Sequence, residues 1–153
     1  MMPDASLLPP QESAAQAQQE IVEAFGCFDD WTEHYQLLIE MGRALPPLAP
    51  EERSDRRRVR GCRALTWFIA ETGPDGRLHF RAASESAIVA GLLALLLRVY
   101  SGRRPEDILG MPPDFLRQCG LDEHLSPHRQ TGVLHILEQI PAHARAALQG
   151  RSA

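Results

Sequence analysis

The sequence predicts an α+β fold in which helices pack around a small antiparallel sheet. Three observations lead there: two helical stretches precede the Pro46-Pro47 pair, a β-branched and aromatic run closes at a Gly-Pro-Asp-Gly turn, and helical patterns resume to the end.

From Ser13 to about Phe28 the chain is rich in Ala, Gln and Glu, with Ile21, Val22 and Phe25 on one side, which predicts a first helix that Gly26 can end. Asp29 or Asp30 then caps a second helix, where Trp31, Tyr35, Leu38 and Gly42 recur at steps of three and four. Residues 46–58, with their prolines and alternating charges, read as an exposed loop leading into extended chain. Val59 to Glu71 carries Leu65, Thr66, Trp67, Phe68 and Ile69, and Thr72-Gly73-Pro74-Asp75-Gly76 closes it as a hairpin. In the returning strand Leu78 and Phe80 alternate with Arg77, His79 and Arg81, which predicts one buried and one wet face. Ser84 is the expected cap of a long helix from about Glu85 to Ser101, stopped by Gly102. Pro105 and Pro113 begin short helical pieces, and Ser126-Pro127 opens a last helix to about Leu148 with a kink expected at Pro141. Residues 1–12 are expected to be a disordered tail and 13–150 a single domain, with no internal repeat.

Composition narrows the function classes. The formal charge of -4 is too mild to indicate nucleic acid or a membrane surface as partner. Every Lys/Arg position is arginine, so the chain has no amine for a Schiff base and no phosphate-loop lysine. The longest apolar stretch, Ala87 to Leu97, falls short of the roughly 20 residues of a membrane span. The three cysteines, Cys27, Cys62 and Cys119, are odd in number and widely spaced; together with an N-terminus that lacks a basic and apolar leader, they make a reduced, cytoplasmic protein the expectation.

No phosphate-binding, dinucleotide-binding, His-Glu-x-x-His or Cys-x-x-Cys pattern is present. Of the thiols, Cys62 alone follows a glycine at a strand entrance and stands between arginines, in Val59-Arg60-Gly61-Cys62-Arg63. Nearby guanidinium groups favour the thiolate, the nucleophilic form, and Gly61 lets a partner's backbone approach. Two readings of Cys62 stay open on this local context: a reactive thiolate, or a small apolar residue beside a strand. Cys27 beside Phe28 and Cys119 before Gly120 lack an electropositive setting and read as packing residues. His128 and His135 could share a helix face but lack a third ligand, and most of the six histidines read as solvated. The arginines from 53 to 60 read either as a solvated loop or, with Arg58, Arg60 and Arg63 nearest the cysteine, as a docking surface for an acidic partner. Trp31, Tyr35 and Trp67 read as core.

Four blocks in order carry a family resemblance: Phe28-x-x-Trp31-x-x-x-Tyr35-x-x-Leu38-Ile39-x-x-Gly42; Val59-x-Gly61-Cys62 with Trp67; Ser84-Glu85-Ser86-Ala87-Ile88-Val89 with Gly91-Leu92; and Gly120-Leu121 with Leu125-Ser126-x-x-Arg129-x-x-Gly132. Together they resemble SufE and its relative CsdE over about residues 20–148. The resemblance implies a fold similar to the scaffold protein IscU. It also implies an accessory sulfurtransferase-type protein, not a stand-alone enzyme, that accepts persulfide sulfur from a SufS- or CsdA-like cysteine desulfurase for a downstream Fe–S scaffold. Cys62 falls at the acceptor position, with Gly61, Arg129, Ser84 and Glu85 as supporting residues. Pyridoxal phosphate would reside on the desulfurase, and this chain would hold no cofactor or metal of its own. The chain departs from the family at Arg63-Ala64-Leu65, where many members carry polar residues, and at Ala90, where an arginine is usual. Two rival functions remain: an Fe–S or zinc scaffold using Cys27, Cys62 and Cys119 with a histidine, or a regulator that binds a desulfurase without using Cys62.

Overall fold

The computed structural model describes residues 12–27, 30–60, 64–121 and 127–152, with side chains in the last stretch described for 132–150. Helix α1 (Ala14–Gly26) starts at a capping box: the Gln16 amide donates to Ser13 Oγ at 3.1 Å, and the Ser13 amide donates to Gln16 Oε1 at 2.9 Å. Its buried stripe is Ala14, Ala17, Ile21 and Phe25. Asp30, the nearer of the two expected caps, begins α2 (Trp31–Arg43) by accepting the Thr32 amide at 3.0 Å.

Strands β1 (Thr66–Thr72) and β2 (Leu78–Ser84) form a two-stranded antiparallel sheet with register Thr66↔Ser84 through Thr72↔Leu78. The hairpin closes where expected. Gly73 donates to the Arg77 carbonyl at 2.8 Å, Gly76 donates to the Gly73 carbonyl at 3.0 Å, and Gly76 takes φ 83°, a left-handed value that its lack of a Cβ permits. Strand pairing begins at Thr66 and not at Val59; the segment before it is tied in by an isolated bridge between Arg58 and Trp67.

Helix α3 (Ala87–Tyr100) is the centre of the molecule, burying Val89, Leu92, Leu93, Leu95, Leu96, Val99 and Tyr100. It is apolar nearly all round because α1, α2, β2 and the last helix all pack on it. Its crossing with α2 depends on two glycines. A Cβ at Gly91 would lie 2.6 Å from the Leu38 carbonyl carbon, and one at Gly42 would lie 2.7 Å from the Gly91 nitrogen. Short helices α4 (Pro105–Leu109) and α5 (Asp114–Gln118) follow, and α6 (Pro127–Ser152) runs through Pro141 and past the expected end at Leu148. Ser126, the expected cap of that helix, lies outside the described residues, as does the expected tail up to residue 11.

The α+β expectation is met, with two corrections to detail. The helix cap is Ser86, whose Oγ accepts the Val89 amide at 3.3 Å, while Ser84 is the last residue of β2; the helix therefore starts at Ala87 and not Glu85. The second correction concerns the sheet face expected to be wet. Phe68, Leu78, Phe80 and Ala82 join the main core, but Trp67 and Ile69 on the opposite face pack with Leu48 in a second cluster, and His79 is only 2% exposed. The segment 46–57 thus folds across the sheet instead of standing free. Leu48 is buried, Glu52 accepts from both terminal guanidinium nitrogens of Arg81, and Arg53 lies over the Trp67 ring at 5.4 Å. The face was expected to be solvated because its residues alternate polar with apolar. Arg81 is half-buried there because its charge is matched by Glu52 and Glu71.

Candidate functional site

The connection between Arg58 and Thr66 leaves the sheet at the end opposite the hairpin turn. Val59 is 2% exposed, and its amide donates to the Thr66 carbonyl at 2.8 Å, which fixes the chain as it enters the connection. On the exit side, the Leu65 carbonyl accepts the Glu85 amide at 2.9 Å, and the Ala64 carbonyl accepts the Thr66 hydroxyl at 3.2 Å. The hydroxyls of Thr66 and Ser84 lie 2.8 Å apart, and Ser84 Oγ also accepts the Ser86 amide at 3.1 Å. These contacts join the start of β1, the end of β2 and the N-terminus of α3 at one edge of the molecule. The connection therefore begins and ends on rigid elements.

Gly61, Cys62 and Arg63 stand between these anchors in sequence and lie outside the described residues. Of the other residues singled out, Ser84 is half-buried in the hydroxyl pair, Glu85 is exposed with its amide engaged, and Arg58 and Arg60 are exposed. Arg129 lies in the first turn of α6, and its side chain is outside the described set. The one-turn 3₁₀ segment Asp55–Arg57 adds exposed Arg56 and Arg57 next to Arg58 and Arg60. Four exposed guanidinium groups within five residues give this edge a local positive field despite the net negative chain.

The remaining thiols differ from each other. Cys119 is buried as expected for a packing residue, and burial pushes its thiol up to about 11, so it is protonated and unreactive at neutral pH. Cys27 is exposed at the end of α1, a correction to its reading as a packing residue: it follows the last helical turn, where its side chain is no longer on the buried stripe. Two of the four histidines with described side chains differ from expectation: His34 and His79 are buried, the first bonded to the Phe25 carbonyl at 2.8 Å. His143 is exposed as expected, and desolvation on the side facing Phe68 and Phe80 holds it below the usual imidazole range. Among the described residues no group of three His, Cys, Asp or Glu side chains could hold a metal ion, and no helix is long and apolar enough to cross a membrane.

Sequence reasoning missed Thr66 as more than a strand residue, and it missed Ser86. The signal for both was available: once the turn centres on Asp75, counting outward pairs Thr66 with Ser84 and leaves Ser86 as the next residue able to cap a helix.

Helices around a two-stranded sheet, with a thiol-bearing connection anchored where the sheet meets the central helix, define the class of protein. The family model for the Fe–S metabolism associated domain, SufE, matches residues 19–144. An uncharacterised SufE-like protein of Rhizobium etli is 33% identical over 130 residues, covering 82% of this chain and 88% of that protein. Another from Rhizobium meliloti is 31% identical over 133 residues, covering 84% and 95%. Among solved structures, the solution structure of a hypothetical protein from Thermus thermophilus superposes with a TM-score of 0.70 at 26% identity, covering 87% of this chain and 96% of that one. The chain belongs to the SufE family, the family of the Fe–S metabolism associated domain.

Proposed function

We propose that this protein accepts persulfide sulfur from a pyridoxal-phosphate cysteine desulfurase on Cys62 and passes it on toward Fe–S cluster assembly. The observation that carries the reading is the setting of the connection 60–65: it is anchored at both ends to rigid elements, entered through a run of exposed arginines, and bears a cysteine in a chain of this family. Cys119 is a poor alternative because burial keeps it protonated.

The chemistry is thiol-disulfide exchange in form. The Cys62 thiolate attacks the outer sulfur of the partner's Cys–S–SH group, a new sulfur-sulfur bond forms, the old one breaks, and the partner's cysteine leaves as thiolate. Cys62 then carries the S–SH group with its proton. No electrons are gained or lost overall, because the transferred sulfur keeps its oxidation state. Pyridoxal phosphate serves only to generate the persulfide on the partner. This chain has no lysine with which to hold it as a Schiff base. Arg60 and Arg63, the sequence neighbours of Cys62, favour its thiolate; together with Arg56, Arg57 and Arg58 they suit an acidic docking face on the desulfurase, and Gly61 lets the two backbones come close. A SufS- or CsdA-like desulfurase fits that description, and the onward recipient is an Fe–S scaffold.

The test is intact mass after incubation with a desulfurase and cysteine, followed by peptide mapping. The wild-type protein gains one sulfur atom on Cys62, and Cys62→Ser neither gains sulfur nor stimulates the desulfurase. Sulfur found mainly on Cys27 or Cys119, or full stimulation by Cys62→Ser, overturns the assignment.

A further inference from the structure

We infer that Thr66 is a positioning residue for sulfur transfer: its buried hydroxyl, oriented by Ser84, holds the chain that leaves the cysteine connection. The inference rests on the proposed function and extends it to a residue that the family resemblance does not single out.

Hydrogen bonding makes the case. The Ser86 amide can only donate and the Ala64 carbonyl can only accept, and each hydroxyl has one proton to give. With Ser86 donating to Ser84 Oγ at 3.1 Å, Thr66 donating to the Ala64 carbonyl at 3.2 Å, and the two hydroxyls 2.8 Å apart, the three contacts form one continuous relay. The relay runs from the first residues before α3, through the ends of both strands, to the backbone two residues beyond Cys62. Thr66 is fully buried, so no water stands ready to replace its hydroxyl. The Leu65 carbonyl, between the two bonded groups, takes the Glu85 amide at 2.9 Å. Two consecutive carbonyls on the exit side of the connection are thereby fixed to the β2–α3 junction, one through a side-chain relay and one directly. A valine at 66 would fill the same volume and keep the same strand preference, yet it would leave the Ser84 hydroxyl and the Ala64 carbonyl without their partner. Geometry within about 1 Å governs the rate of a transfer between two bound thiols, so a loosened exit should slow transfer without weakening docking.

Thr66→Val, Thr66→Ser and Ser84→Ala separate the hydroxyl from the shape. Amide hydrogen exchange of Glu85 reads the anchor without any partner, and sulfur loading measured across desulfurase concentrations separates maximal rate from half-saturation. Loss of one buried hydrogen bond predicts about fivefold faster Glu85 exchange and an about fivefold lower maximal loading rate in Thr66→Val and Ser84→Ala, with half-saturation unchanged. Thr66→Ser stays within about twofold of wild type, and the Thr66→Val/Ser84→Ala double variant is no worse than either single change, because one relay is cut once. Should Thr66→Val fail to fold, Ser84→Ala at its half-buried site carries the same test. Unchanged Glu85 exchange in folded variants, faster exchange with unaltered loading, or Thr66→Ser behaving like Thr66→Val each overturns the positioning role. If the wild-type protein takes up no sulfur, the proposed function fails instead, which is a separate and recognisable result.

Discussion

Replacing Gly91 by alanine tests whether the α2–α3 crossing holds the fold together. The added methyl would sit 2.6 Å from the Leu38 carbonyl carbon and 2.8 Å from Leu38 Cβ, both on a fully buried residue. Carbon atoms settle at about 3.5–4.0 Å, so the helices would have to part by about 1 Å, a gap that forfeits a quarter to a half of the dispersion energy of each contact along the crossing. The obstacle is backbone, so no side-chain rotation relieves it. Overpacking of this kind costs about 1–3 kcal/mol, and the close backbone contact puts Gly91→Ala at the upper end; the better helix propensity of alanine returns about 1 kcal/mol. The net loss of about 2 kcal/mol lowers the urea midpoint by about 1 M at a typical slope for a small protein. Gly150→Ala is the control. It is an exposed helical position with nothing within 4 Å of the new methyl, so the same substitution should raise stability by a few tenths of a kcal/mol, about what propensity alone gives near a helix end. A Gly91→Ala midpoint equal to wild type, or a Gly150→Ala loss of similar size, refutes the close-contact argument.

Two further outcomes follow from the covered sheet face and the buried thiol. The Glu52 carboxyl is held below the usual carboxylate range first by its hydrogen bond to Arg81 and then by the Ala49 amide. A group whose folded value is depressed contributes stability above its unfolded value and loses it as pH falls through the folded one. The segment 46–57 should therefore loosen from Trp67 in acid, below the ordinary carboxylate range, seen as a shift in tryptophan emission; Glu52→Gln should show the loosened emission already at neutral pH, and identical acid profiles for the two proteins would refute the link. Because burial pushes Cys119 up to about 11, iodoacetamide at pH 8 should label Cys27 in the native protein and reach Cys119 only after denaturation, as read by peptide mass; equal labelling rates for the two would contradict the buried assignment.

The periodic elements were legible in the sequence because each announces itself within about ten residues: the three-and-four steps of α1 and α2, the Gly-Pro-Asp-Gly turn, and the apolar run of α3. What escaped depends on contacts between distant segments. Leu48 is a lone large apolar residue among prolines and carries no periodicity, yet it closes the second cluster, and the positions of Glu52 and Glu71 explain why Arg81 can lie beneath that segment. Ser84 and Ser86 are equally good caps by residue type. The choice between them is made by the sheet, because pairing that begins at Thr72↔Leu78 extends to Thr66↔Ser84 and draws Ser84 into the strand. The same pairing decides the site. A cap at Ser84 would have turned its hydroxyl toward the first turn of α3; the strand pair instead sets it against Thr66, whose own bond reaches the chain just beyond Cys62. Local sequence around Cys62 supports a reactive thiolate and a packed thiol equally, and the ordered blocks of family residues favour the former. The proposed function adds a physical reason: a thiol that meets another protein's persulfide needs an exposed basic setting and a fixed approach, and on that reading the exposed arginines offer the first and the Thr66–Ser84 pair the second.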